Sequence, residues 1–208
     1  MKLITLKNRR GAKYLKVQDT HEARRERFKI SREIEGAAGA EYMEAQFDGR
    51  NIQWAKQLDA TSCGYCALCN ISNTLGLSEP RSVSAIYRKI REMSENPSQR
   101  EANLNGVDLR LYLNEVFNMS VNCYGGVSDL SQVELLLVRK DFDVLVLTSG
   151  GHYTVIINDP QGADFYLLDS LYTEPRPLTG AVAMEMIKNS VGVNHNRANL
   201  IMKGRLRT

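Results

Sequence analysis

A cysteine, a histidine, an aspartate and a glutamine stand in this chain in an order that suits thiol-based acyl transfer. Cys63 is followed by a glycine and preceded, six positions earlier, by Gln57. His152 opens one apolar run rich in β-branched residues, and Asp169 closes the next. In such chemistry a thiolate attacks, an imidazole carries protons, a carboxylate orients the imidazole and an amide N–H stabilises the oxyanion. The four residues are therefore the candidate catalytic set.

The position of Cys63 suits a reactive thiol. The residues after it are rich in Ala, Leu, Cys and Ile and predict a buried helix, for which Asp59, Thr61 and Ser62 are candidate N-caps. The N–H groups and the dipole at a helix N-terminus favour a thiolate. We expect the Cys63 N–H and the Gln57 side chain to share an oxyanion, where losing one donor typically costs about 10²–10³ in rate.

Only one of the three histidines begins an apolar strand pattern, and this is His152. His21 lies in a charged segment and His195 in a polar loop. Neighbouring strands lie about 5 Å apart. We therefore expect Asp169, at the end of the next strand, to orient the His152 ring.

Two glycines and the single tryptophan are the candidate substrate-binding residues. Gly64, beside the thiol, has no side chain to obstruct a substrate backbone. Gly151 belongs to a glycine turn that opens space for the ring of His152. Trp54 is assigned to the same group.

These residues need a scaffold that brings a helix and two strands together. Helix patterns come before the strand patterns along most of the chain, which is an α+β order. Three late apolar runs, separated by short polar turns, predict an antiparallel meander. Helices are expected near 63–76, 82–93, 107–118 and 130–139, and strands at 119–124, 143–148, 152–157 and 165–169.

Composition indicates a globular protein of a reducing compartment. The 208 residues are 43% hydrophobic and 25% charged, which is ordinary for such a protein. No run approaches the roughly 18 apolar residues of a membrane span, and the first residues lack the pattern of a signal peptide. The few cysteines, crowded into one segment, suit free thiols. We expect a cytoplasmic protein, in the host cytosol for a viral protein or secreted effector, with no membrane partner.

Residues 1–50 differ in charge from the rest of the chain. They carry 12 Lys and Arg against 8 Asp and Glu, whereas residues 51–208 carry 15 against 16. Residues 20–35 predict an exposed helix, and the Gly and Ala of residues 36–40 predict a hinge. We expect a basic N-terminal extension over 1–50 (a pro-segment, a docking arm or added structure) and a catalytic domain over 51–208. A solvated helix face explains the basic charge better than a nucleic-acid or acidic partner does.

The spacing Gln-x5-Cys-Gly resembles the nucleophile segment of the SUMO-specific, ubiquitin-like proteases and of adenovirus-type proteases. Their other signature, a His-aromatic strand followed by a strand ending in Asp-Ser, is similar to His152-Tyr153 and Asp169-Ser170. The order Gln, Cys, His, Asp differs from theirs. It resembles that of papain-like enzymes, bacteriocin-processing peptidases and Josephin-type deubiquitinases, and the last also share a His-aromatic-x-Thr-Val strand.

This resemblance covers roughly residues 52–175 and implies a papain-like cysteine peptidase or isopeptidase. It implies a helix carrying the nucleophile Cys63, packed on an antiparallel sheet that carries the general base and acid His152 and the orienting Asp169. Gln57 would be the oxyanion donor. The implied substrate is a polypeptide, with ubiquitin or a ubiquitin-like modifier as the first expectation. No cofactor or metal is expected.

Other interpretations remain open at this point. A processing peptidase of a virus, phage or bacterium would use the same residues, and an acyltransferase or transglutaminase would let an amine attack the thioester. The spacing Cys63-x2-Cys66-x2-Cys69, with Cys123 farther on, is compatible with zinc or an iron–sulfur cluster, although the continuous helical sequence argues against it. A binding module with an inactive peptidase fold is the last alternative.

Overall fold

A computed structural model provides the structure of the protein. It describes residues 3–7, 13–17, 40–59, 61–78, 82–93, 104–124, 129–149, 151–162, 164–192 and 201–207. The fold over these residues mixes helices with antiparallel sheets, as the α+β order predicts. Among them, no helix combines the length and the apolar character needed to cross a membrane.

The structure has ten strands and five helices over the described residues, and strands and helices alternate in the C-terminal half of the chain. The strands are β1 (Leu3–Lys7), β2 (Lys13–Val17), β3 (Ala40–Phe47), β4 (Arg50–Gln57), β5 (Met119–Tyr124), β6 (Val144–Ser149), β7 (His152–Asn158), β8 (Phe165–Leu168), β9 (Arg176–Leu178) and β10 (Ile201–Leu206). The helices are α1 (Cys63–Leu75), α2 (Val83–Met93), α3 (Gly106–Glu115), α4 (Leu130–Arg139) and α5 (Gly180–Gly192).

The central sheet of the described residues has six strands in the order β5-β10-β6-β7-β8-β9, all antiparallel. The predicted meander forms its middle as β6, β7 and β8. The C-terminal strand β10 lies between β5 and β6, an arrangement that no local pattern indicates. The candidate His152 begins β7, and the candidate Asp169 directly follows β8, the adjacent strand of the sheet.

The sheet divides the hydrophobic core in two because side chains alternate between the faces of a strand. On β6, Val144 and Val146 join the cluster that contains α1, α2, α3 and the β3–β4 hairpin. Leu145 and Leu147 join the cluster that contains α4 and α5. Helix α1 therefore packs on one face of the antiparallel sheet, as expected.

The predicted domain boundary at residue 50 falls within the β3–β4 hairpin. Asp48 and Gly49 form its two-residue turn, both with positive φ (50° and 68°), a geometry that Asp-Gly pairs favour. Ala45 and Phe47 are buried in the first core, and the Phe47 ring packs edge-on against Tyr166 at 5.0 Å. The packed domain therefore includes residues from 40 onward.

Part of the predicted N-terminal organisation falls on described residues. The apolar pattern of residues 3–6 predicts a short strand, which is confirmed as β1 and pairs with β2 in a hairpin. The predicted exposed helix at 20–35 lies outside the described residues, as does the predicted hinge at 36–40 apart from Ala40, which begins β3.

Candidate active site

Cys63 is the first residue of α1, at the position that the sequence predicts. The Asp59 carboxylate fixes the loop before the helix, because its Oδ1 accepts from Thr61 N at 2.6 Å and from Ser62 N at 2.7 Å. Ser62 occupies the N-cap position without a side-chain cap bond. The thiol thus stands at a helix N-terminus, where N–H groups lack helical partners and favour negative charge.

His152 and Asp169 form the orienting pair of the site. His152 Nε2 lies 2.8 Å from Asp169 Oδ1, across the adjacent strands β7 and β8. The same carboxylate oxygen accepts from Leu171 N at 3.0 Å, which fixes its direction. Because Nε2 faces the carboxylate, Nδ1 is the ring nitrogen that remains for the thiol.

Cys63, at the start of α1, lies close to the His152–Asp169 pair. Burial lowers the pKa of His152. Hydrogen bonds to Asp169 and Cys63 and the charges of both groups outweigh this effect and raise the pKa to about 10. The imidazole therefore keeps its proton at neutral pH. Cys63 Sγ also lies 3.8 Å from the carbonyl oxygen of Gly151. Three elements that are distant in sequence thus bring the Cys, His and Asp together.

Gln57, the last residue of β4, is held by the residue after Asp169. Gln57 N donates to Ser170 O at 2.9 Å, and Ser170 Oγ donates to Gln57 Oε1 at 2.5 Å. Gln57 Nε2 donates to Asp59 O at 2.9 Å. An amide nitrogen carries two N–H groups, so one further N–H is available to an oxyanion.

Asn70 ties α1 to β4 and was not singled out as a site residue from the sequence. It is fully buried, and its side chain pairs with both backbone groups of Ala55: Oδ1 accepts from Ala55 N at 2.8 Å and Nδ2 donates to Ala55 O at 2.9 Å. The helix that carries Cys63 and the strand that ends in Gln57 are thereby fixed to each other. A polar residue within an apolar helix was the available signal.

Two of the predicted substrate-binding residues need correction. Trp54 is fully buried and donates from Nε1 to Tyr172 O at 2.9 Å, so it supports the site from within. Gly64 is closed by protein, because a Cβ there would lie 2.8 Å from Leu104 Cβ. Gly151 differs from both: it is exposed, with φ +87° and open space where a Cβ would stand, beside the thiol.

Cys66 and Cys69 belong to the packing of α1. Both are fully buried, and burial raises the pKa of each thiol, that of Cys69 to about 12. Cys66 Sγ contacts Ser62 Oγ at 3.8 Å. Within the described residues, no three His, Cys, Asp or Glu side chains are arranged to hold a metal ion. The metal interpretation of the cysteine cluster therefore has no support in this part of the chain.

The site as a whole brings a helix-terminal thiol close to a histidine–aspartate pair, with Gln57 held by the residue after that aspartate. No family model matches the chain, and no curated protein is detectably similar to it in sequence. Any assignment of chemistry therefore depends on the side chains themselves.

Proposed function

We propose that the protein is a cysteine peptidase with a papain-like arrangement of nucleophile helix and antiparallel sheet. The observation that carries the proposal is the His152 imidazole, hydrogen-bonded through Nε2 to Asp169 at 2.8 Å, together with the Cys63 thiol at the start of α1, which lies 3.8 Å from the carbonyl oxygen of the neighbouring Gly151. A perturbed imidazole pKa and a thiol at a helix N-terminus are both typical of catalytic sites.

Acylation would begin with attack of the Cys63 thiolate on the carbonyl carbon of the scissile amide. The carbonyl electron pair moves to the oxygen, which the Cys63 N–H and the Gln57 amide would stabilise. The C–N bond then breaks, and the leaving nitrogen keeps the electron pair and takes a proton from His152. The products of this step are a free amine and a thioester on Cys63.

Deacylation would reverse the proton movements. The neutral imidazole of His152 takes a proton from water, whose oxygen attacks the thioester carbon. The C–S bond breaks, the carboxylic acid leaves and the thiolate of Cys63 returns. Asp169 holds the ring in the same orientation throughout and stabilises its positive charge.

Hydrolysis in H₂¹⁸O tests this function. Peptides of randomised sequence are incubated with the protein, and new C-termini are read by mass spectrometry. A peptidase places ¹⁸O in each new carboxyl group, whereas a transferase forms amide products when an amine is added. We expect ¹⁸O incorporation that Cys63→Ala abolishes and Cys66→Ala retains. Cleavage that survives Cys63→Ala would refute the proposal.

A panel of electrophilic probes tests the proposed substrate class. Ubiquitin and ubiquitin-like proteins carrying a C-terminal electrophile are incubated with the protein, and adducts are mapped. An adduct on Cys63 with one probe would identify both nucleophile and substrate. Peptide cleavage without an adduct on any probe would favour a processing peptidase.

A further inference from the structure

Three large apolar side chains lie exposed next to the candidate site. The exposed fractions are 65% for Leu58, 46% for Leu171 and 38% for Tyr172. Each belongs to a segment that supplies a site residue: Leu58 directly follows Gln57, and Leu171 and Tyr172 are the second and third residues after Asp169. We call these three residues the apolar rim. Single exposed apolar residues are common on surfaces, but three beside one site mark a binding surface.

Two of the three rim residues, Leu171 and Tyr172, are held in place by contacts within the protein. Tyr172 N donates to Asp169 O at 3.0 Å, and Tyr172 O accepts from the buried indole of Trp54 at 2.9 Å. The guanidinium of Arg176 lies 4.2 Å from the centroid of the Tyr172 ring. Leu171 N donates to the carboxylate that orients the imidazole. A surface held in this way loses little conformational entropy on binding.

The role of His152 as general acid indicates which side of the scissile bond lies near the apolar rim. His152 must protonate the leaving nitrogen, so the leaving group lies beside its ring. Asp169 contacts the same ring, and the turn that it begins carries two of the three rim residues. On the helix side of the thiol, Gly64 is already closed by Leu104. The leaving group is therefore the part of the substrate that passes over the rim.

We infer that the apolar rim selects an apolar side chain on the residue directly after the scissile bond. This inference rests on the proposed peptidase function. The occupant is a linear peptide with Leu, Ile, Met or Phe at that position. A lysine Nζ, the leaving group of an isopeptide, brings only an unbranched alkyl stem to the same place. The rim thus favours cleavage of a peptide bond over an isopeptide bond.

Cleavage of a randomised peptide pool tests the inference, with Leu171→Asp and Leu58→Asp as the rim variants. Leu135→Asp is the matched control, because Leu135 is 50% exposed on α4, across the sheet from the site. We expect apolar residues after the cut to be enriched about 10-fold or more. The enrichment should fall to near background in both rim variants and persist in Leu135→Asp.

Acyl transfer gives a second readout, because an acceptor amine must enter the leaving-group site. Leucine amide should intercept the thioester at least several-fold better than glycine amide, and Leu171→Asp should remove that difference. Cleavage without apolar enrichment, or enrichment that both rim variants retain, would overturn the inference and leave the peptidase function intact. A complete lack of cleavage would overturn the peptidase function, and the inference with it.

Discussion

At the residue scale, the protonation of His152 determines how the site responds to pH. Burial lowers the pKa of its ring, and Asp169 and Cys63 raise it to about 10. A thiol enzyme needs the imidazolium to protonate its leaving group. The activity of the wild-type protein should therefore persist well above the ordinary titration range of histidine and fall as pH approaches 10.

Asp169→Asn should shift this alkaline limb to lower pH. The substitution removes a hydrogen bond and a charge that raise the pKa of His152, while the burial that lowers it remains. The pH dependence of kcat/KM for both proteins measures the shift. An unchanged alkaline limb in Asp169→Asn would show that the carboxylate does not act on the ring.

The raised pKa of His152 also makes the free energy of unfolding depend on pH in a predictable direction. A group whose pKa is higher in the folded protein stabilises it fully below the unfolded pKa, near 6.5, and loses that contribution as pH rises toward 10. The difference in free energy of unfolding between wild type and Asp169→Asn should thus be largest below pH ~6.5. Urea unfolding at several pH values checks it, and a difference that grows above this pH would contradict it.

We expect Ser170 to position Gln57, the proposed oxyanion donor. Its hydroxyl donates to Gln57 Oε1 at 2.5 Å, which directs the amide nitrogen of that side chain away from Ser170. Ser170→Ala should lower kcat about 10-fold with little change in KM, less than the roughly 10²–10³ expected for loss of the donor itself. Ser170→Thr, which keeps a hydroxyl, should recover much of the rate. Equal losses in Ala and Thr variants would indicate a packing effect.

At the element scale, the junction between α1 and β4 sets the geometry between thiol and oxyanion donor. Asn70 makes this junction through both backbone groups of Ala55. Asn70→Ala should lower the free energy of unfolding by about 2–4 kcal/mol, because two buried backbone groups lose their partners. Asn73→Ala is the matched control on the same helix: it loses a less buried bond to Gln53 O and should cost about 1 kcal/mol or less. Equal costs in denaturant unfolding would contradict the assignment.

Most single elements were predictable because their signals are local. The predicted strand at 119–124 and helix at 130–139 match β5 and α4. The helix predicted to reach residue 118 ends at Glu115, since Asn118 adopts a left-handed conformation with φ 52° that turns the chain into β5. The apolar pattern continues through Val116 and Phe117, so the sequence predicts a longer helix than the structure has.

The sequence indicates the candidate site residues, whereas their surroundings were less predictable. The Cys, His, Asp and Gln depend on residue type, order and spacing, which sequence records directly. The closure of Gly64 by Leu104 and the burial of Trp54 depend on contacts between distant segments. From sequence alone, a glycine beside a thiol that is approached by a substrate cannot be distinguished from one that is approached by a protein side chain.

At the scale of the whole molecule, the domain begins earlier than charge suggests. The basic charge of residues 1–50 suggested a separate segment and drew attention away from the hairpin turn at Asp48-Gly49. No local sequence pattern indicates that β10 lies between β5 and β6 in the sheet. Such pairings join residues far apart in sequence. They emerge only when both faces of the sheet are covered.

Truncation tests the revised boundary. A chain beginning at residue 51 loses β3 and the buried Phe47 side chain, whereas one beginning at residue 40 keeps both. Removing a buried Phe side chain costs about 3–5 kcal/mol, so the shorter chain should be less stable by at least that amount or fail to fold. Phe47→Ala in the full chain gives the milder comparison. Equal unfolding midpoints for the two truncated chains would restore the boundary at residue 50.

The account depends most on the reactive state of Cys63, which alkylation measures without any substrate. Wild type and His152→Ala are treated with iodoacetamide at pH ~6, where ordinary thiols react slowly, and labelled sites are mapped by mass spectrometry. Although Cys63 is buried and Cys123 is exposed, Cys63 should react faster in the wild type and slow at least about 10-fold in His152→Ala. Faster labelling of Cys123, with no effect of His152→Ala on Cys63, would contradict the proposed nucleophile.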